Sequence, residues 1–93
     1  MKVKNLHGNP GCPCCKSCLD HWENYTQEKA HTCAELGCSN KATLGGHVIK
    51  VGSEDRAHYI IPICDSTNHK DEPYDLNFGT KLVPATKQIS CHT

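Results

Sequence analysis

HTCAELGCSNKATLGGHV, residues 31–48, decides how the chain folds. Cys33 and Cys38 bracket a tight turn in which Gly37 is suited to a positive φ. A turn brings its two ends together, so it places two thiols side by side at little entropic cost. Nine residues after Cys38, His47 opens a β-branched run, HVIKV. Cys64 follows a second apolar run, HYIIPI. Two thiols on a turn and a third at the junction of a hairpin and a helix are the ligand layout of a structural zinc site, since zinc takes four S or N ligands in a tetrahedron.

Composition shows why metal matters. The chain has 93 residues, 37% hydrophobic and 5% aromatic, with a mean hydropathy of −0.58. That is one domain with a thin core. Ordering the backbone costs roughly 1–2 kcal/mol per residue, so a domain of this kind needs staples. Its 8 Cys and 7 His supply them. Eight cysteines also permit a disulfide framework, but their interleaving with histidine favours metal. No stretch reads as a secretion signal, and none reaches the roughly 20 apolar residues of a membrane span. A reducing, cytoplasmic setting and no membrane partner are therefore expected. The formal net charge is zero and the pI about 7.0, which argues against a strongly basic nucleic-acid binder.

Along the chain, residues 1–11 read as an irregular lead-in. The crowded CPCCKSC of residues 12–18 reads as a turn. A helix is expected over residues 19–29, where Leu19, Trp22 and Tyr25 recur at helical spacing and Ser17 and Asp20 form a capping box. Gly45 and Gly46 suggest a kink. Residues 47–51 and 58–63 read as a hairpin closed by GSED, with Pro62 at a strand end or edge. Ser66 caps a short helix that Pro73 stops, and residues 76–83 read as a second small hairpin.

The order of the Cys33–Cys38 turn, GHV at residues 46–48, a hairpin, and IIPICDSTNHK at residues 60–70 resembles the HNH-type treble-clef family. The resemblance implies a small α+β fold: a zinc-stabilised ββα core over residues 31–72, with a Cys-rich turn and helix before it. It implies His47 as a general base, and Asn68 as a ligand of a catalytic magnesium or other divalent ion. Two departures stand out. The family's fourth zinc ligand falls on Thr67, which is not an ordinary zinc ligand. His69, two residues on, would complete Cys33, Cys38 and Cys64 as a Cys3His site, with His47 as the other candidate. The family's acidic residue before the first histidine is here Gly46.

The whole chain, 1–93, is also similar to a group of small bacterial zinc-binding proteins. Cys12-Pro13-Cys14, Leu19-Asp20-His21-Trp22 and Cys91 carry that likeness. It implies a second zinc ion on Cys12, Cys14, His21 and Cys91, in a sub-site over residues 12–30 plus the C-terminal tail. Spacing alone favours Cys15 and Cys18 as the knuckle, with His21 one helical turn from Cys18.

These readings lead to a protein in which two zinc ions are structural and which serves as a nucleic-acid or protein interaction module, with DNA as a candidate partner. The alternative is an HNH-type metal-dependent DNA endonuclease. A weaker one is thiol redox or metal-handling chemistry at Cys15 and Cys18, which lacks the βαβ setting such motifs need.

Overall fold

The computed structural model describes residues 1–7 and 17–85. It is a small α+β fold: a five-stranded antiparallel sheet with a helix against each face. In chain order the elements are β1 (Lys2–Asn5), α1 (Cys18–Thr26), β2 (Leu44–Lys50), β3 (Tyr59–Ile63), α2 (Asp65–Asn68), β4 (Tyr74–Asp75) and β5 (Val83–Pro84). The strand order is β4-β1-β2-β3-β5.

The β2–β3 hairpin is the centre of the sheet, pairing Leu44 with Ile63 and Val48 with Tyr59. Its apolar residues alternate in orientation, so both faces are buried. One face carries the larger core, where Val3, Val48, Ile61 and Ile63 pack with Cys33, Cys64 and Tyr74. On the other, Ile60 and Val83 pack against Trp22 of α1, with Cys18 at the margin. Pro62 lies inside β3, paired with Gly45. It is tolerated because its carbonyl, accepting from the Ala34 N–H at 2.9 Å, points away from β2. The missing N–H points the same way and costs no ladder bond.

Ser17 caps α1, its side chain accepting from the Asp20 N–H at 3.1 Å as expected. The helix ends at Thr26 with Gln27 left-handed at φ 58°, short of the expected residue 29. Trp22 Nε1–H donates to the Lys81 carbonyl at 2.8 Å, tying α1 to the segment before β5.

Four local expectations are corrected, the fourth at Gly45 and Gly46. The lead-in holds a strand: Val3 and Asn5 turn inward between exposed lysines and pair with Lys50 and Val48. Residues 76–83 form no second hairpin, because β4 and β5 sit on opposite edges of the sheet. Cys64, and not Ser66, is the N-cap of α2.

Gly45 and Gly46 make no kink; they are strand residues. A Cβ on Gly45 would lie 2.5 Å from the Cys18 carbonyl carbon and 2.7 Å from the Leu19 nitrogen. A Cβ on Gly46 would meet Ile63 Cδ1 at 2.3 Å on the opposite face. The pair lets α1 and Ile63 close on the same strand from both sides.

The β2–β3 turn is held by Asp55, which accepts from Tyr59 Oη at 2.5 Å and the Ala57 N–H at 2.9 Å and pairs with Lys50 Nζ at 3.2 Å. The tyrosine hydroxyl, the Ala57 N–H and the lysine hold its carboxyl down to about 2. The folded form is thus the weaker proton binder, so the contribution is complete above the ordinary aspartate value near pH 4. It is lost as pH falls from there to about 2. Asp55→Asn is expected to flatten the acid limb of a stability–pH curve over that window. An unchanged limb would remove Asp55 from the account.

Candidate metal centre

The Cys33–Cys38 turn is built as a short antiparallel loop. The Cys33 N–H donates to the Asn40 carbonyl at 2.8 Å, the Ala42 N–H to the His31 carbonyl at 2.8 Å, and Thr32 pairs with Lys41. At the tip, the Cys38 N–H reaches the Glu35 carbonyl at 3.1 Å, and Gly37 takes the positive φ, 85°, that the sequence required. Two backbone bonds dock the loop: the Ala34 N–H to Pro62 of β3 at 2.9 Å, and the Leu36 N–H to Asp75 of β4 at 2.8 Å.

This docking brings the loop under Cys64. The Sγ atoms of Cys33, Cys38 and Cys64 all lie within 4.8 Å of one another, and all three are free thiols. The Cys38–Cys64 separation is 3.8 Å. A tetrahedron with Zn–S legs of about 2.3 Å has edges of about 3.8 Å. The three thiols are thus spaced to hold a metal ion. They are the residues the sequence singled out for that role.

The electrostatics suit a cation. Burial resists ionisation of Cys64. Hydrogen bonds from the Thr67 hydroxyl and backbone, from Asn40 and from Cys33 outweigh it and hold the thiol down to about 6. Cys38 goes the other way. The Asn40 backbone favours its thiolate, but burial and the two neighbouring cysteines push it up. Thiols that resist joint ionisation gain most from a cation placed between them.

An oxygen lies beside the thiols. Thr67 Oγ1 lies 3.3 Å from Cys33 Sγ and 3.4 Å from Cys64 Sγ. It donates to Glu35 Oε1 at 2.7 Å, and the other Glu35 oxygen pairs with Lys70. Burial works against the Glu35 charge, yet the Lys70 and Thr67 hydrogen bonds and the lysine's charge keep its carboxyl below the ordinary range. Sequence reasoning passed over Glu35, Asn40 and Lys70. The one available signal was a carboxylate placed between the two turn cysteines. Behind Thr67, Asn5 Nδ2 donates to the carbonyls of Thr67 at 2.7 Å and Lys70 at 3.1 Å, closing the C-terminal end of α2.

His69 is not brought to this centre. Its side chain is exposed and faces Asp65 at 3.5 Å. On a helix, Thr67 lies about 60° round from Cys64, whereas His69 lies about 200° beyond Thr67. Thr67 therefore faces the thiols and His69 faces away.

His47 and Asn68 are not brought together either. The virtual Cβ of Gly46 points to within 3.9 Å of Asn68 Oδ1, on the face of the larger core. His47 is one residue on and faces the other way, its Nε2 3.1 Å from Cys18 Sγ. Burial and the nearby His58 and His21 imidazoles push His47 below the ordinary histidine value.

His21 is buried in α1, and burial lowers its pKa. The residues expected beside it, Cys12, Cys14 and Cys91, lie outside the described residues, as does Cys15. Cys18 is disulfide-bonded. Among the described residues no helix is long and apolar enough to cross a membrane.

Comparison of the chain with family models, with curated proteins and with solved structures finds no match in any of the three.

Proposed function

We propose that Cys33, Cys38 and Cys64 hold a structural zinc ion and that the protein is a zinc-stabilised interaction module. The observation that carries this reading is the triangle of three free thiols within 4.8 Å of one another, two of them buried in the larger core of a thinly apolar domain. Soft thiolates select zinc over hard divalent ions. The order of cysteine turn, hairpin, and short helix capped by the third cysteine supports a treble-clef reading of residues 31–72. The fourth position lies on the side of Thr67, whose hydroxyl sits 3.3–3.4 Å from two of the sulfurs, and not on that of His69, which faces Asp65.

The nuclease alternative is not adopted. An HNH-type site needs its base and its metal ligands on one scissile phosphate. Here His47 and Asn68 face opposite sides of β2, and an acidic side chain at position 46 would run into Ile63. A binding role has its own support. Met1, Leu36, Leu76, Phe78 and Leu82 line a shallow apolar cavity beside the cysteine turn, and the Phe78 ring is fully exposed. Large exposed apolar groups gathered on one surface mark interaction sites.

Two outcomes are expected together. Supercoiled plasmid incubated with the protein and Mg2+ or Mn2+ stays intact. His69→Ala retains the full zinc content of the wild type. Cleavage that His47→Ala abolishes would reinstate the nuclease, and loss of an ion in His69→Ala would restore the Cys3His ligand set.

A further inference from the structure

The β2–β3 turn closes a small polar cavity of about 220 Å3. Leu6 and Ile49 line it with apolar side chains, and Lys50, Ser53, Arg56 and His58 bring donors to it. Pockets that enclose drug-sized ligands run to roughly 300–1,000 Å3, so this one suits a single functional group. Successive strand residues alternate in orientation, so Ile49 faces away from Val48 and the larger core. Lys4 pairs with Ile49 across β1–β2 and stands beside it on the same face.

The positive charge here is not neutralised within the fold. Lys2, Lys29, Lys50, Lys70 and Lys81 each pair with a carboxylate. Among the described residues, the lysine and arginine side chains without such a partner are Lys4, Lys41 and Arg56. Arg56 lines this cavity and Lys4 flanks it, while Lys41 lies on the cysteine turn. Asp55, the one acid in the lining, does not cancel them. Its carboxylate already accepts from Tyr59 Oη and the Ala57 N–H and pairs with Lys50. Glu54, exposed in the same turn, makes no ion pair with Arg56. Ser53 Oγ accepts from the Asp55 N–H at 3.0 Å, which fixes the oxygen and leaves its proton to donate.

We propose that this cavity binds the phosphate group of a phosphate ester, with the Arg56 guanidinium as its clamp, Ser53 and His58 as further donors, and Leu6 and Ile49 against the carbon side of the ester. A guanidinium presents its N–H groups in a planar fork that matches two phosphate oxygens. Lys4 adds a second positive charge on the same face. The zero net charge of the chain does not oppose this, because at physiological ionic strength a charge is felt over only about 8 Å. The site goes beyond the zinc reading and does not rest on it, since the thiol triangle belongs to the core on the opposite face.

Titration of the 15N-labelled full chain tests it, with a nucleoside 5′-monophosphate, the nucleoside without its phosphate, and a ten-residue single-stranded oligonucleotide as probes. The Arg56 Nε–H and the amides of Ser53 and His58 are expected to shift with a phosphate-bearing probe and to stay in place with the bare nucleoside. Arg56→Gln is expected to weaken that binding about tenfold or more. Arg56→Lys recovers only part of it, because an ammonium lacks the fork. Lys41→Gln removes the same charge from the cysteine turn and is expected to leave the affinity unchanged. Arg56 and Lys41 are both exposed, so these variants keep the wild-type far-UV spectrum. Binding of the monophosphate identifies a free ester as the ligand, and binding of the oligonucleotide alone identifies the phosphate of a nucleic-acid strand. Either result supports the site. No shift with either probe would overturn the proposal, as would equal binding of the bare nucleoside. So would an equal loss in Arg56→Gln and Lys41→Gln, which would mean diffuse attraction to the whole surface.

Discussion

Stripping zinc from the reduced protein with a strong chelator is expected to unfold it in a single transition. Structural zinc supplies roughly 10–16 kcal/mol of apparent binding free energy, as large as the roughly 5–15 kcal/mol that stabilises a whole domain. The geometry is the reason for expecting that dependence. Cys33 and Cys64 are themselves members of the larger core, packed with Ile61, Ile63 and Tyr74. Without a cation, the space between three sulfurs at the edge of that core holds groups that repel one another once ionised. The cysteine turn is also the link between β3 and β4, through Ala34 and Leu36. Releasing it would leave β4 held only through β1 and loosen the Tyr74 hydroxyl, which donates to Asn5 at 2.6 Å and so orients the amide that joins β1 to α2. Far-UV circular dichroism with metal analysis on the same sample checks this. A metal-free protein that keeps its spectrum and its cooperative melt would show that the apolar core suffices.

Gly45→Ala is expected to be the most damaging single change outside the cysteines, and clearly worse than Gly46→Ala. Overpacking a core commonly costs about 1–3 kcal/mol. At Gly45 the added methyl meets the backbone of Cys18 and Leu19 at 2.5–2.7 Å, and backbone cannot turn aside. All of α1 would have to lift from β2, opening the contact of Trp22 with Ile60 and Val83. That places Gly45→Ala at the upper end of the range. At Gly46 the clash is with the end of the Ile63 side chain, which can change rotamer. Denaturant midpoints of the two variants measured side by side decide the matter. Equal loss, or a larger loss at Gly46, would mean that α1 is not held where the structure sets it.

What was legible in the sequence was local. Ser17 with Asp20, the positive φ of Gly37 and the β-branched halves of the hairpin each carry their signal within a few residues. The thiol triangle was legible because the turn and the hairpin both bring distant cysteines to one place by short-range geometry. What was missed depends on tertiary neighbours. The alternation of Lys2-Val3-Lys4-Asn5 is too short to identify a strand until β2 and β4 lie on either side. Two adjacent glycines look alike as a kink and as a double close approach, and only packing on both faces tells them apart. His69 was the chemically attractive fourth ligand. The helical phase of α2, set by Cys64 at its N-cap, turns Thr67 to the thiols instead. Glu35 reaches the Thr67 hydroxyl only because the turn folds its carboxylate back over α2.

Native mass spectrometry of the reduced, purified full chain, wild type beside Cys38→Ser, tests the zinc assignment most directly. Cys38 is the least buried of the three thiols, so its replacement disturbs packing least. The account predicts zinc on the wild type and one ion fewer on Cys38→Ser. The same zinc count on both proteins, or none on either with every thiol reduced, would contradict it.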